Sequence, residues 1–237
     1  SSVVSIGEYA FFNCIKLKQI EFPKDSNLKK IESKALYLLP VESLNFPAEL
    51  SELENGWCTM VKKLVKVAVD PENKKFKNDE NDEKLIIGKT DDFNVLVFAA
   101  RDIKTTTIPP NITHISSFSF NFSSIECIVI PPSVKVIDEF AFSECFKLSQ
   151  VEIPHDSQLE TIGKGAFYFT KIKKIFIPRN VSQICEKVFL SCKQLEEIEY
   201  GNFGNVMKIS MNGIYALKVL KIDYIGKYFF LIKIFIN

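Results

Sequence analysis

Apolar residues recur along this chain in a fixed phrase, L-x-x-I-x-I, whose first, fourth and sixth positions are apolar and whose other positions are mostly polar. The phrase begins at Leu17, Val41, Leu64, Ile103, Ile125, Leu148, Ile172, Leu195 and Leu217, with Thr106 a polar exception at the fourth position. Successive starts lie 22 to 24 residues apart, save one interval of 39. The I-x-I alternation predicts a short strand with one buried face. Six phrases end in proline, at Pro23, Pro47, Pro109, Pro131, Pro154 and Pro178. Proline has no N–H to give to a ladder, so it ends the strand there.

A second phrase, I-G-x-x-A-F-x-x-C, starts at Ile6, Ile31, Ile115, Ile137, Ile162 and Ile184, always 10 or 11 residues before the next strand. Its small residue lets backbones approach, and its Phe fills the layer between strand and turn. One strand with one turn cannot cover its own apolar face, so a fixed period implies stacked repeats. The expectation is an α/β fold: a single solenoid domain over residues 1–237, with a parallel sheet on one side and short helical or irregular turns on the other. The long interval predicts an insertion over residues 70–102. There the strand-like runs Leu85-Ile86-Ile87 and Val95-Leu96-Val97-Phe98 flank Gly88 to Asp92 and read as a protruding β-hairpin. After Leu195 the turn phrase degrades, with Ile209 only 8 residues before Leu217, so the last turns read as irregular. Residues 2–7 enter midway through a repeat with no polar cap, which reads as a piece of a longer protein.

Composition narrows the function classes. Hydrophobic residues at 46% and charged ones at 25% suit a packed domain rather than a disordered one. With 30 Lys+Arg against 29 Asp+Glu the formal charge is +1, which gives no ground for a nucleic-acid partner. The longest apolar run, from Tyr228 to Ile236, is broken by Lys233 and falls short of the ~20 residues a membrane helix needs. The opening residues lack the features of a secretory signal.

Candidate chemistry is sparse. Cys14, Cys145 and Cys192 share one slot of the second phrase and read as packing residues, and no C-x-x-C supports a zinc site. Cys127 falls at an outward position, where a free thiol argues against an oxidising compartment. His114 and His155 sit at different phases with no nucleophile motif beside them, so neither an enzyme nor a cofactor is expected. The acidic run 79–83 lacks the glycine and distal glutamate of a calcium loop and reads as solvated. Sequons occur at Asn111, Asn121 and Asn180. The first and third follow a strand-ending proline, on a turn with room for a glycan.

The two phrases, alternating over nearly the whole chain, resemble the BspA-type leucine-rich repeats known from surface proteins of oral bacteria and parasitic protists. The resemblance implies a right-handed solenoid with a parallel concave sheet. It also implies that the Val69-Asp70-x-x-Asn73 phrase leads into the inserted hairpin. A non-enzymatic role follows from it too: adhesion, or binding of host or partner proteins, at the cell surface or after secretion. Ligand-facing residues would then be the x positions of the strand phrase. The last three triplets are basic, acidic and basic: Lys173 and Lys174 with Phe176, then Glu196, Glu197 and Glu199, then Lys218 and Lys221. On strands ~4.8 Å apart they would form a charged stripe with one aromatic anchor, suited to a protein ligand. The plainer account is cross-strand charge pairing on a solvated face. The alternative function is an intracellular scaffold or regulatory adaptor that uses the same face.

Overall fold

The computed structural model describes residues 2–90, 92–202 and 205–210. Among them are eighteen short strands and no helix. In chain order they are β1 (Ser5–Ile6), β2 (Gln19–Ile20), β3 (Lys30–Ile31), β4 (Ser43–Phe46), β5 (Glu52–Leu53), β6 (Lys66–Val69), β7 (Phe76–Asn78), β8 (Leu85–Lys89) and β9 (Phe93–Ala99). Then follow β10 (His114–Ile115), β11 (Cys127–Val129), β12 (Val136–Ile137), β13 (Gln150–Glu152), β14 (Thr161–Ile162), β15 (Lys174–Ile177), β16 (Gln183–Ile184), β17 (Glu197–Asn202) and β18 (Asn205–Ser210).

Two parallel ladders follow from the two phrases. The first joins the I-x-I strands in three blocks, β2-β4-β6, β11-β13 and β15-β17, and stacks Ile20 on Leu44 on Val67, Ile128 on Val151, and Ile175 on Ile198. The second stacks the leading isoleucines of the other phrase: β1-β3-β5 carries Ile6, Ile31 and Leu53, and β10-β12-β14-β16 carries Ile115, Ile137, Ile162 and Ile184. Each strand-ending proline accepts a hydrogen bond from the amide three residues on, which closes a tight turn between the ladders.

The expected helical turns, and with them the α/β class, are not found. Counted from the leading isoleucine, the third residue onward has positive φ in coil after coil: Tyr9, Lys34, Phe118, Phe140 and Lys187, with Gly56 and Gly165 in the same role. The seventh does so too, at Asn13, Leu38, Met60, Phe122, Glu144, Phe169 and Ser191. A left-handed residue every fourth position breaks any α-helix. The amides that a helix would hold internally bond to the next coil instead. Phe140, Phe142 and Glu144 donate to the carbonyls of Lys164, Ala166 and Tyr168; Gly165, Phe167 and Phe169 donate to those of Glu186, Val188 and Leu190. Putting Phe or Leu in the left-handed region costs on the order of 1 kcal/mol or more each, and this third ladder offsets it.

The insertion does not protrude. β9 pairs in parallel with β10 and antiparallel with β8, which pairs antiparallel with β7, so a three-stranded meander occupies the place of a coil in the second ladder. Its side chains join both halves of the core: Leu85, Ile87 and Leu96 pack with the C-terminal coils, Ile86, Val97 and Phe98 with the N-terminal ones. The Val69-Asp70-x-x-Asn73 phrase builds the entry. Buried Asn73 donates to the carbonyls of Pro47 and Leu50 and accepts from the amides of Lys75 and Phe76. The meander interrupts the first ladder, because residues 103–108 form no strand. Thr106, at the apolar position of the phrase, donates its hydroxyl to Asp82 Oδ2 (2.8 Å) rather than packing inward.

The C-terminal core is organised by one column of stacked rings, Phe120, Phe142, Phe167 and Phe189, with centroids 4.8, 5.4 and 5.8 Å apart and planes within 16°. Beside it Cys145 and Cys192 donate to the carbonyls of Phe120 and Phe167, and burial pushes the Cys145 thiol up to about 12. Cys14, in the same slot, is exposed because its coil has a described neighbour on one side only. Where the column meets the N-terminal coils lies Arg101, 3% exposed. Its guanidinium donates from Nε to Val61 O, from Nη1 to Ala99 O and Ser119 O, and from Nη2 to Cys58 Sγ and Phe118 O, and it lies over the Phe98 ring at 4.6 Å. That uses all five donors of the group. Burial draws the guanidinium below its ordinary value and pushes the Cys58 thiol above its own, with the positive charge pulling the thiol back.

Candidate functional site

Alternation along β13, β15 and β17 decides which side chains stand on the outward face of the first ladder. Val151, Ile175 and Ile198 point into the core, so Gln150, Glu152, Lys174, Phe176, Glu197 and Glu199 point out. Register then sets Lys174 opposite Glu197 and Phe176 opposite Glu199. Lys174 Nζ lies 2.8 Å from Glu197 Oε2, and this hydrogen bond, with the surrounding carboxylates, holds the ammonium above its ordinary value. The pair fits the plainer account of cross-strand charge pairing for these two residues. Lys173 and Glu196 are exposed beside it, and the Lys173 carbonyl accepts from the amides of Glu196 and Glu197.

Lys218 and Lys221 lie outside the described residues. On the far side of β17 the neighbour is β18, which runs antiparallel with Lys208 opposite Glu199.

Phe176 is half-buried, and its surroundings were not legible from the triplet pattern. The His155 ring packs against it edge to face at 4.4 Å, and a Cβ added to Gly201 would meet its ring at 2.8 Å. His155 reaches it because Pro154 ends the strand one residue earlier and turns the chain beside the ring. Glycine at 201 is what leaves room for the Cζ–Cε2 edge of the ring beside the neighbouring strand. Pro154, His155 and Phe176 line a shallow concavity of about 350 Å³ that also takes in Glu152 and Glu199. His114 stands apart, on β10, with its Nδ1 3.0 Å from Thr113 Oγ1.

A second concavity, about 310 Å³, lies on the first block of the ladder between Glu21 and Lys66. Its central Asn45 is engaged by the fold: it accepts from the Phe22 amide and donates to the Phe22 carbonyl, extending the ladder with its side chain. Cys127 is exposed on the outward face. The acidic run is a turn in which Asp79 Oδ2 accepts from the amides of Asn81 and Asp82. Among the described residues no three His, Cys, Asp or Glu side chains converge as metal ligands would. No helix among them is long and apolar enough to cross a membrane. Of the sequons, Asn111 and Asn180 are exposed, whereas Asn121 is 2% exposed and donates to Ser143 O and Oγ, which leaves a glycan no room.

The profile of the BspA type leucine rich repeat region matches in six copies over residues 1–80 and 91–221. Among solved structures, the pneumococcal vaccine antigen PcpA is similar at 26% identity with a TM-score of 0.77, over 86% of this chain and 50% of that one. A leucine rich cell surface protein of Faecalibacterium prausnitzii is similar in fold at 20% identity with a TM-score of 0.72, over 83% and 51%. A leucine-rich repeat protein of Eubacterium ventriosum is similar in fold at 16% identity with a TM-score of 0.57, over 84% and 70%. The chain therefore spans about half the length of the first two. No curated protein matches it by sequence.

Proposed function

The chain belongs to the BspA type leucine rich repeat family, and from that premise we propose that it is a non-enzymatic protein-binding segment of a surface or adhesion protein. It takes its partner on the outward, concave face of the first ladder, around Lys173, Lys174, Phe176, Glu196, Glu197 and Glu199. The observation that carries this reading is a fixed aromatic ring in an open concavity edged by charged side chains, the kind of anchor on which protein interfaces concentrate their energy. Two of the similar proteins are a vaccine antigen and a cell surface protein, which supports a surface location for the parent protein.

The test is a photo-crosslinking amino acid placed at exposed Gln150 on this face, and separately at exposed Glu139 in the turn segment. After incubation with an extract of secreted and surface proteins, adducts are expected from position 150 and not from 139. Equal labelling from both positions refutes the assigned face. An intracellular scaffold remains the second reading, favoured by the exposed thiol of Cys127. Antibody labelling of the parent protein on intact cells separates the two.

A further inference from the structure

We propose that the concavity around Phe176 takes an arginine side chain from a basic segment of the protein partner, its guanidinium over the Phe176 ring and against the Glu152 carboxylate. This rests on the reading that the first-ladder face binds protein, and it names the chemistry of what is bound. The ring is pre-organised: the His155 ring packs on it with centroids 4.4 Å apart, and its Cζ–Cε2 edge lies against Gly201 of the next strand. A ring fixed in advance loses little freedom on binding. Glu152 occupies the same phase of its repeat as Phe176 and lines the same concavity. It is exposed and has no ion-pair partner among the described residues. On its other side the register places Val129, 54% exposed. The row Val129, Glu152, Phe176 is thus a carboxylate between two apolar shoulders, the match for a side chain with an apolar stem and a cationic head.

Charge decides among ligands. Of the charged residues that line the concavity, Glu152, Glu197 and Glu199 stand against one lysine, Lys174. Lys174 is already bonded to Glu197, so an acidic segment meets an excess of like charge. A purely apolar one would cover Glu152 without pairing it, which is costly. Arginine fits better than lysine because its planar group both stacks on an aromatic face and bonds a carboxylate through two parallel donors.

The experiment uses the full chain and fluorescein-labelled nonapeptides of Gly-Ser-Arg repeats, with Gly-Ser-Gln and Gly-Ser-Glu counterparts, read by fluorescence anisotropy at low and physiological ionic strength. The arginine peptide is expected to bind, more weakly as salt rises, and the glutamate peptide not to bind. Glu152→Gln should weaken binding about 5- to 10-fold. Phe176→Leu, which keeps an apolar group on Gly201 and so the thermal midpoint, should weaken it about 2- to 5-fold. Lys174→Gln should leave it unchanged or tighten it. The proposal is overturned if the arginine peptide binds no better than the glutamine one, or if Glu152→Gln binds it as well as the wild type. If position 150 still crosslinks a partner in that case, only the choice of a basic ligand has failed. If it does not, the protein-binding reading has failed as well.

Discussion

Arg101 offers the sharpest test of how the fold is held together. Its guanidinium touches coil three through Cys58 and Val61, the meander through Ala99, and the next coil through Phe118 and Ser119, so it is the polar joint between the two core clusters. Two of its acceptors keep another donor when it is removed, since Ser119 O accepts from the Ala99 amide and Phe118 O from the Asn121 amide. Arg101→Met would remove the charge and fill most of the space. The lost charge-assisted bonds, each contributing about 1.5 to 3 kcal/mol, are then largely offset by not burying an ion, and the net loss should be about 2 kcal/mol. Arg101→Ala adds a cavity and should cost about 4 kcal/mol. Arg101→Lys keeps a buried charge with three donors in place of five and should cost about 3 to 5 kcal/mol.

The assay is urea unfolding followed by two signals. Trp57 is the single tryptophan, buried beside Cys58 and 5.9 Å from the Phe98 ring on which the guanidinium lies, so its fluorescence reports the N-terminal coils. Far-ultraviolet circular dichroism reports all coils. A repeat protein unfolds as one unit only while its interfaces are strong relative to its coils. The two signals should coincide in the wild type and separate in Arg101→Ala, with fluorescence changing first because the N-terminal core lacks the phenylalanine column. Coincident transitions with a loss under about 1 kcal/mol, a size typical of changes away from the core, would refute the assigned role.

Two further outcomes follow from the coil geometry. Gly163→Ala drives a Cβ to 2.6 Å from the Asp138 and Glu139 backbone, whereas at Gly7, the same slot of the first coil, the nearest atom is 3.8 Å away. The first should cost about 1 to 3 kcal/mol and the second less than about 0.5 kcal/mol, read as thermal midpoints. Burial raises the Asp138 carboxyl above its ordinary value, with His114 pulling it partly back. A carboxyl whose folded pKa is raised binds its proton more tightly folded than unfolded, so its contribution is full at low pH and is lost as pH rises from the ordinary carboxylate range through the raised value. Asp138→Asn should flatten that fall and gain stability at neutral pH. A pH–stability curve unchanged by the substitution would show that the carboxyl is solvated.

What the sequence carried was the local part of the fold. Period-2 alternation at Ile128 and Ile130 or Ile175 and Ile177, and the prolines after them, act within a few residues, so strands and outward faces were legible. The turns were not, because nothing in Phe118, Leu38 or Met60 marks a left-handed residue. That conformation is imposed by amides reaching the next coil, a non-local demand that overrides intrinsic preference. The insertion was legible as two strand-like runs, but its partner is β10, across a loop, and the trace it left was one misplaced polar residue, Thr106, bonded to Asp82. At the candidate site, the phase of Phe176 was legible while its neighbours were not, since His155 reaches it only through the turn that Pro154 opens. Arg101 stands two residues before the phrase that starts at Ile103, where Ser123 and Thr170 stand before later phrases, and nothing in the phrase marks a charge there. A charged residue between two apolar stacks has to be explained by what it joins, and all five of its donors are spent on backbone carbonyls and one sulfur of the coils on either side. Coupling of the two stacks therefore rests on a residue whose position belongs to the repeat but whose charge the repeat does not specify.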